Sequence, residues 1–203
     1  ITCSSVDLPS HNRGLEVSDV KLDFLWRTEG IEIPSLSAKL LGGIIEVKNF
    51  KADGAKAEWP FEMSLTAQDM SMSELAARFD ATHPIFEGRL RAQTKFQGSL
   101  LDPLQSSALG QVQILNAKLV NAPALIYLAG YLNRPDLRTL PLQKCALDFM
   151  LQAGTLHVPR LQAVSSDIEV DGQGWIKLAE QTQEFQMKVA VSQGIAGHFP
   201  SEI

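Results

Sequence analysis

Three acidic side chains on one extended segment come closest to the types and spacing that chemistry requires. Asp167, Glu169 and Asp171 alternate with other residues, so a strand would direct all three carboxylates to one face, neighbours lying about 7 Å apart. Such a pair can hold a cation or act as a general acid and base. The simpler interpretation is a solvated outer face beside Lys177 and Lys188.

No catalytic motif accompanies these carboxylates. The chain has no Gly-x-Ser-x-Gly turn, no phosphate-binding Gly-rich loop and no His-Glu-x-x-His. Four histidines lie far apart, without a further ligand at metal-binding spacing: His11, His83, His157 and His198. We therefore expect a non-enzymatic protein with no catalytic residue, no metal site and no cofactor.

The acidic residues belong to a predicted strand whose other face is apolar. That face consists of Ile168, Val170, Gly172, Gly174 and Ile176. Residues 145–151 and 185–191 alternate in the same way, which predicts three neighbouring strands with a shared apolar surface. Such alternation is typical of antiparallel sheets with one covered face. The two glycines leave room for a bulky group against the sheet, or mark where a helix packs.

Two short helices are candidates to cover this surface. One is predicted from Asn121 to Asn133, with Asn121 as the cap, and Pro135 ends it. It is apolar on nearly all sides, so we expect the sheet or a partner to enclose it. The other is predicted over 71–80, where Ser71 and Glu74 form a capping box.

The first half of the chain repeats the pattern of strands less regularly. A change of phase near Asp19 predicts a bulge or tight turn, residues 42–43 predict a turn, and Pro60 favours an edge strand or a bulge. The predicted fold is mainly β: a long curved antiparallel sheet, open and taco-like or an incomplete barrel, with two short helices. We expect a β-rich half over 1–102 and a second half over 103–203, or one continuous domain.

Composition narrows the classes of partner. Hydrophobic residues make up 45% of the 203 residues and charged residues 20%, as in an ordinary folded domain. The 18 Lys and Arg residues are outnumbered by 23 Asp and Glu residues, which gives a net charge of -5. Nucleic acid is therefore not an expected partner. Cys3 and Cys145 form a disulfide in an oxidising compartment, or Cys145 is a small buried hydrophobe. The longest apolar stretches, residues 40–45 and 122–132, are too short to cross a bilayer.

Parts of the sequence resemble a known family. Gly110–Leu119, a short helix, Leu147–Leu156 and then Ser166–Gly174 together resemble the C-terminal region of AsmA-family proteins. The segment Lys39–Glu46 is similar to a strand, Gly-Gly and strand arrangement in AsmA-like and YdbH-like proteins, a group of envelope proteins that also includes TamB-like ones. The resemblance covers roughly residues 88–191 and rests on a strand pattern with glycines.

The resemblance implies a module of bacterial envelope biogenesis that handles phospholipid between the inner and outer membranes. The family's periplasmic part forms an open groove, so the expected partner is the acyl chains of phospholipid. The expected lipid-facing residues are Leu147, Phe149, Leu151, Ile168, Val170, Ile176, Phe185, Met187 and Val189. We expect Ile1 to be an internal or processed start of an inner-membrane-anchored protein, whose membrane association lies in segments outside this chain.

The alternative is a structural or protein-interaction module of the envelope without a lipid ligand. It would bind another envelope protein through a sheet edge such as that near Pro60, or through Trp59, Tyr127 and Tyr131. An apolar face fully packed by the two helices would favour this alternative. An enzyme would rest only on the acidic face around Glu169.

Overall fold

A computed structural model describes residues 2–8, 15–78, 86–102 and 105–193. The strands are β1 (Thr2–Leu8), β2 (Leu15–Arg27), β3 (Gly30–Leu40), β4 (Gly43–Asp53), β5 (Pro60–Ser71), β6 (Phe86–Ser99), β7 (Ser107–Val120), β8 (Thr139–Pro141), β9 (Lys144–Gln152), β10 (Thr155–Val164), β11 (Ile168–Lys177) and β12 (Thr182–Val191). The helices are α1 (Met72–Arg78) and α2 (Pro123–Tyr131), and a 3-10 helix spans Pro135–Arg138.

All strands belong to one antiparallel sheet. Each pairs with the next along the chain, except that the short β8 pairs only with β7, which continues to β9. Within the described residues β1 and β12 have no pairing with each other, so the sheet is open. The predicted fold class is confirmed. β6 and β7 pair directly from Phe86 to Gln97, so the sheet runs without interruption through the boundary expected near residue 102.

Bulges at polar residues interrupt the regular pairing. Asp19, Asn49, Asp69 and Asn116 have positive φ and lie at or beside register shifts in β2, β4, β5 and β7. Asn and Asp tolerate this left-handed conformation better than most residues, and each bulge adds twist and bends its strand. The change of phase predicted near Asp19 is therefore a bulge.

Three local predictions differ from the structure in detail. The turn between β3 and β4 is formed by Leu41 and Gly42, both with positive φ, and Gly43 already begins β4. β5 is an interior strand paired with β4 and β6; Pro60 is its first residue, a position where a missing N–H is tolerated. Of the three strands predicted as neighbours, β11 and β12 pair directly, but β10 lies between β9 and β11.

The two helices lie at the same end of the sheet. α1 connects β5 to β6 and α2 connects β7 to β8, and antiparallel order brings both connections to one end. Ser71 Oγ accepts a hydrogen bond from the Glu74 N–H at 3.2 Å, as the predicted capping box requires. The Asn121 cap is wrong: Pro123 occupies the first turn, so the N-cap is Ala122, whose side chain makes no cap hydrogen bond.

A cluster of buried hydrophobic residues lies under α2. Ala129 and Leu137 are buried there, and Leu128, Leu132 and Ile168 pack against them. Ile126, Tyr127 and Tyr131 on the same helix are exposed. The sheet therefore does not enclose α2 on all sides, and enclosure of the exposed side by a partner stays a prediction.

Candidate functional site: an apolar groove

One face of the sheet carries a continuous row of apolar residues. Direct pairings from β3 to β12, β8 excepted, place in this row Ala38, Ile45, Ala67, Ala92, Val112, Leu147, Leu161, Gly172 and Met187. At about 4.8 Å between strands, the row extends over roughly 38 Å. A continuous apolar path therefore crosses most of the sheet.

Parallel rows widen this path into a surface, which we call the apolar groove. On one side lie Leu36, Val47, Leu65, Thr94, Gly110 and Phe149. Beyond them lie Met63, Phe96, Ala108, Leu151, Leu156 and Ile176. On the other side, Cys145, Ala163, Val170 and Val189 are paired in turn. Thr94 is the one polar side chain among these residues, and it is buried.

The apolar face is the more enclosed of the two faces. The buried residues of the long strands lie on it, among them Ala38, Ala67, Thr94, Ala108 and Val158, whereas side chains on the opposite face are exposed or half-buried. The larger groove residues, such as Leu65 and Leu147, are half-buried although only the α2 end carries the described hydrophobic cluster. Apolar side chains in the middle of the sheet are thus sheltered by curvature and by their neighbours.

All nine residues predicted to face lipid lie on this face. Leu147, Phe149 and Leu151 follow one another at two-residue spacing on β9. Cross-strand pairing through β10 connects this face of β9 to the predicted residues of β11 and β12. Most are half-buried, but Met187 and Val189 are exposed because β12 is an edge strand. Ile168 differs from the others, since it packs against the cluster under α2.

The prediction missed the contribution of the first half and of β10. Leu36, Val47 and Leu65 lie on the same surface, and Leu156 and Leu161 of β10 lie between β9 and β11. The sequence signal in β10 was an alternation that changes phase at a proline. The register shifts there, between Val158 and Leu161.

The two glycines of β11 are covered from the neighbouring strands and not by a helix. A side chain at Gly174 would lie 2.6 Å from the Phe185 ring, and one at Gly172 would lie 3.4 Å from Met187 and 3.6 Å from Leu161. The same arrangement occurs at Gly110, beneath the Phe149 ring. Aromatic side chains therefore lie over Gly110 and Gly174 and line the groove.

Cys145 places a thiol in the groove. Among the described residues it is a free, half-buried cysteine, as expected of a small hydrophobe, and the side chain of Cys3 lies outside the described residues. Burial raises the pKa of the Cys145 thiol, because the charged thiolate loses solvation in apolar surroundings. The thiol is consequently a weak nucleophile and a small apolar lining residue.

The opposite face is polar and carries cross-strand ion pairs. Lys39 and Asp19 lie 2.5 Å apart, Arg160 and Asp148 2.7 Å apart, and a further pair joins Arg91 to Asp69. The Lys39 ammonium lowers the pKa of Asp19 by a hydrogen bond and by charge. The clefts on this face are shallow; one of about 620 Å³ includes Glu62, Lys95 and Gln97 in its lining.

The acidic residues of β11 do not form a joint site. Asp171 accepts a hydrogen bond from Gln162 at 2.8 Å and lies opposite Lys188. Asp167 accepts hydrogen bonds from Ser166 and Ser192. Within the described ranges no group of His, Cys, Asp and Glu is arranged to hold a metal ion. His157 lies on this polar face opposite Trp175, and His11, His83 and His198 lie outside the described residues.

Comparison with known proteins adds no family. No protein-family model, no curated protein and no solved structure matches the chain. Of the helices in the described parts of the chain, none has the length and apolar character needed to cross a membrane.

Proposed function

We propose that this protein binds the acyl chains of phospholipid in the apolar groove, as a non-enzymatic module of envelope biogenesis that transfers lipid between membranes. The observation that carries the proposal is the row from Ala38 to Met187, apolar on every strand that it crosses. Large apolar surfaces without a second layer are unusual in folded proteins and mark binding sites. Lipid is the ligand whose chemistry matches such a surface.

Dimensions favour lipid over a compact ligand. The groove extends over roughly 38 Å, whereas the hydrocarbon core of a whole bilayer is about 30 Å thick and holds two leaflets. One acyl chain therefore occupies only part of the groove. Each methylene removed from water contributes about 0.8 kcal/mol, enough to hold a chain without covalent chemistry. The helices, both at one end, leave the middle accessible.

The resemblance to AsmA-like proteins supports a periplasmic location and a longer, inner-membrane-anchored parent protein. It is an argument from the strand and glycine pattern of Leu147–Leu156 and Ser166–Gly174. The expected partners are then phospholipid and other envelope proteins.

Native mass spectrometry after gentle purification from bacterial envelopes, followed by lipid extraction, tests the proposal. We expect near-stoichiometric phospholipid on the wild-type chain and loss of most of it in Phe149→Glu. Met150→Glu is the matched control, because Met150 is a neighbouring large apolar residue on the opposite face. Circular dichroism must show that both variants keep their strands.

The second pair Leu147→Glu and Ala146→Glu repeats the comparison at the centre of the row. Equal lipid loss from both faces would contradict the groove, as would a wild-type protein that carries no lipid and takes up none from vesicles.

A protein-interaction module is the second candidate, favoured by the edge strand β12. Its Met187 and Val189 are exposed, and within the described residues β12 pairs only with β11. A strand of a partner can add to such an edge. A lipid-free wild type, together with an assembly that Val189→Pro disrupts, would support this candidate and overturn the first.

A further inference from the structure

The outer side of α2 is an apolar surface at one end of the groove. Tyr127 is 79% exposed, Tyr131 55% and Ile126 43%, although the opposite side of the helix contributes buried Leu125 and Ala129. The helix has no acidic residue in its first turn and no basic residue in its last. Exposed aliphatic and aromatic side chains clustered on one short helix are unfavourable in water and mark an interaction surface.

The residue types point to a membrane interface. Tyrosine has an apolar ring and a polar hydroxyl, and it concentrates where the hydrocarbon of a bilayer meets water. Ile126, one residue before Tyr127, suits the shallow apolar layer beneath. With nine residues α2 cannot cross a bilayer but can lie at its surface.

Charge complementarity supports an anionic surface. From Lys118 to Lys144 the chain has four basic residues, Lys118, Arg134, Arg138 and Lys144, against the single Asp136. This segment therefore carries +3 within a chain of net charge -5.

Not all of these basic side chains are available to contact lipid headgroups. Arg134 is paired with Asp136 at 2.6 Å, and Lys118 lies opposite Glu87. Arg138 and Lys144 are exposed and have no ion pair among the described residues. Basic residues at a membrane surface are attracted to anionic headgroups, and these two lie on the segments that follow α2.

We propose that α2 docks on the surface of an anionic phospholipid bilayer through Ile126, Tyr127 and Tyr131, with Arg138 and Lys144 against the headgroups. The inner side of the same helix packs on Ile168, which lies on the apolar face. Docking therefore brings one end of the groove to the lipid source. This proposal rests on the proposed lipid-binding function, because only a groove that takes lipid gains from such contact.

Vesicle flotation of the 203-residue chain tests the docking. We expect binding to vesicles of phosphatidylcholine with phosphatidylglycerol, and weaker binding to phosphatidylcholine alone. Tyr127→Asp should weaken binding about tenfold, and Arg138→Gln about fivefold with the anionic vesicles only. Leu109→Asp is the matched control, since Leu109 is 64% exposed on the polar face and should bind like the wild type.

A second measurement keeps the test independent of folding defects. In a Cys3→Ser, Cys145→Ala background, an environment-sensitive dye on Tyr127→Cys should shift to the blue when anionic vesicles are added, and the dye on Leu109→Cys should not. An unshifted dye at position 127, or unchanged flotation of Tyr127→Asp, would overturn the docking. So would a concentration-dependent dimer that Tyr127→Asp abolishes, because a second copy would then cover the helix.

Uptake of a soluble fluorescent fatty acid separates the two proposals. Tyr127→Asp should keep this uptake while losing flotation. A wild-type chain that floats but takes up no fatty acid would overturn the groove and leave α2 as a membrane contact of another kind, whereas uptake without flotation would overturn only the docking.

Discussion

The α2 end and the middle of the groove differ in how their apolar side chains are covered. Both present apolar side chains from the same face of one sheet. At the α2 end, α2 and the 3-10 helix pack over Ile168 of β11, and a small two-layer core forms in which Ala129 is buried and Leu137 is only 2% exposed. In the middle, residues such as Leu65 and Leu147 remain half-buried. Among the described residues a second layer is thus present beside α2 and missing in the middle of the sheet.

This difference in cover decides whether an apolar side chain contributes to folding stability or stays accessible to a ligand. A covered apolar residue contributes its full burial to folding, whereas a half-covered one retains surface that a ligand can still remove from water. Part of the hydrophobic effect available to the middle strands is therefore left for binding. Backbone pairing along the ladder and contacts between neighbouring side chains hold the middle together.

The largest effect is expected from Leu137→Ala at the α2 end. Because Leu137 is fully buried, truncation should lower the free energy of unfolding by about 2–5 kcal/mol. Urea unfolding followed by circular dichroism measures this loss. Leu147→Ala is the comparison variant, with a smaller expected loss of about 1 kcal/mol since part of the side chain is already in contact with water. Similar losses for the two variants would remove the contrast between the regions.

Gly174→Ala should have an intermediate effect in the middle of the groove. Its new methyl group would clash with the Glu184 carbonyl oxygen and lie 2.6 Å from the Phe185 ring, and displacing the neighbouring strand and that ring should cost about 1–3 kcal/mol. Gly154→Ala is an unsuitable control because Gly154 has positive φ; Gly130→Ala in α2 meets nothing within 4 Å and should be neutral or stabilising. A stable Gly174→Ala protein would show that the aromatic cover is loose.

The smallest effect concerns the Cys145 thiol. Its pKa is raised by burial above the ordinary value of 9.0, and only the thiolate reacts. In a Cys3→Ser background, alkylation should be slow at neutral pH and should reach half of its maximal rate above pH 9.0, where an ordinary exposed thiol is half ionised. Bound lipid should slow it further. Fast alkylation at neutral pH would indicate an exposed thiol, as at a surface and not in a groove.

Sequence reasoning predicted the strands that alternate without interruption. β9, β11 and β12 keep a constant two-residue period, so the period alone assigns Phe149, Val170 and Met187 to one face. It was less successful where a bulge changes the phase, as near Asn49 and between Val158 and Leu161. There the correct face depends on how two strands pair, which no single segment specifies.

The prediction of the groove residues was limited in the same way. Residues of regular strands were assigned to the apolar face, whereas the contribution of the first half required the pairing of strands that contain bulges, in β2, β4 and β5. The errors at Pro60 and Asn121 have a common cause. In each case the structure around the residue overrules its local preference. Pro60 does not mark an edge strand, because it stands at the start of a strand that is paired on both sides. Asn121 does not cap α2, because Pro123 in the first turn makes Ala122 the N-cap.

The order of strands in the sheet has a consequence for how the molecule assembles. Apart from β8, each strand is joined to the strand that follows it in the chain, so folding requires only short-range loop closures and can extend outward from any stable hairpin. Unfolding should proceed in the reverse order, with the edge strands separating from the sheet first. Amide protons of β12 should therefore exchange with solvent long before those of β6, as a gradient across the sheet instead of a single cooperative step.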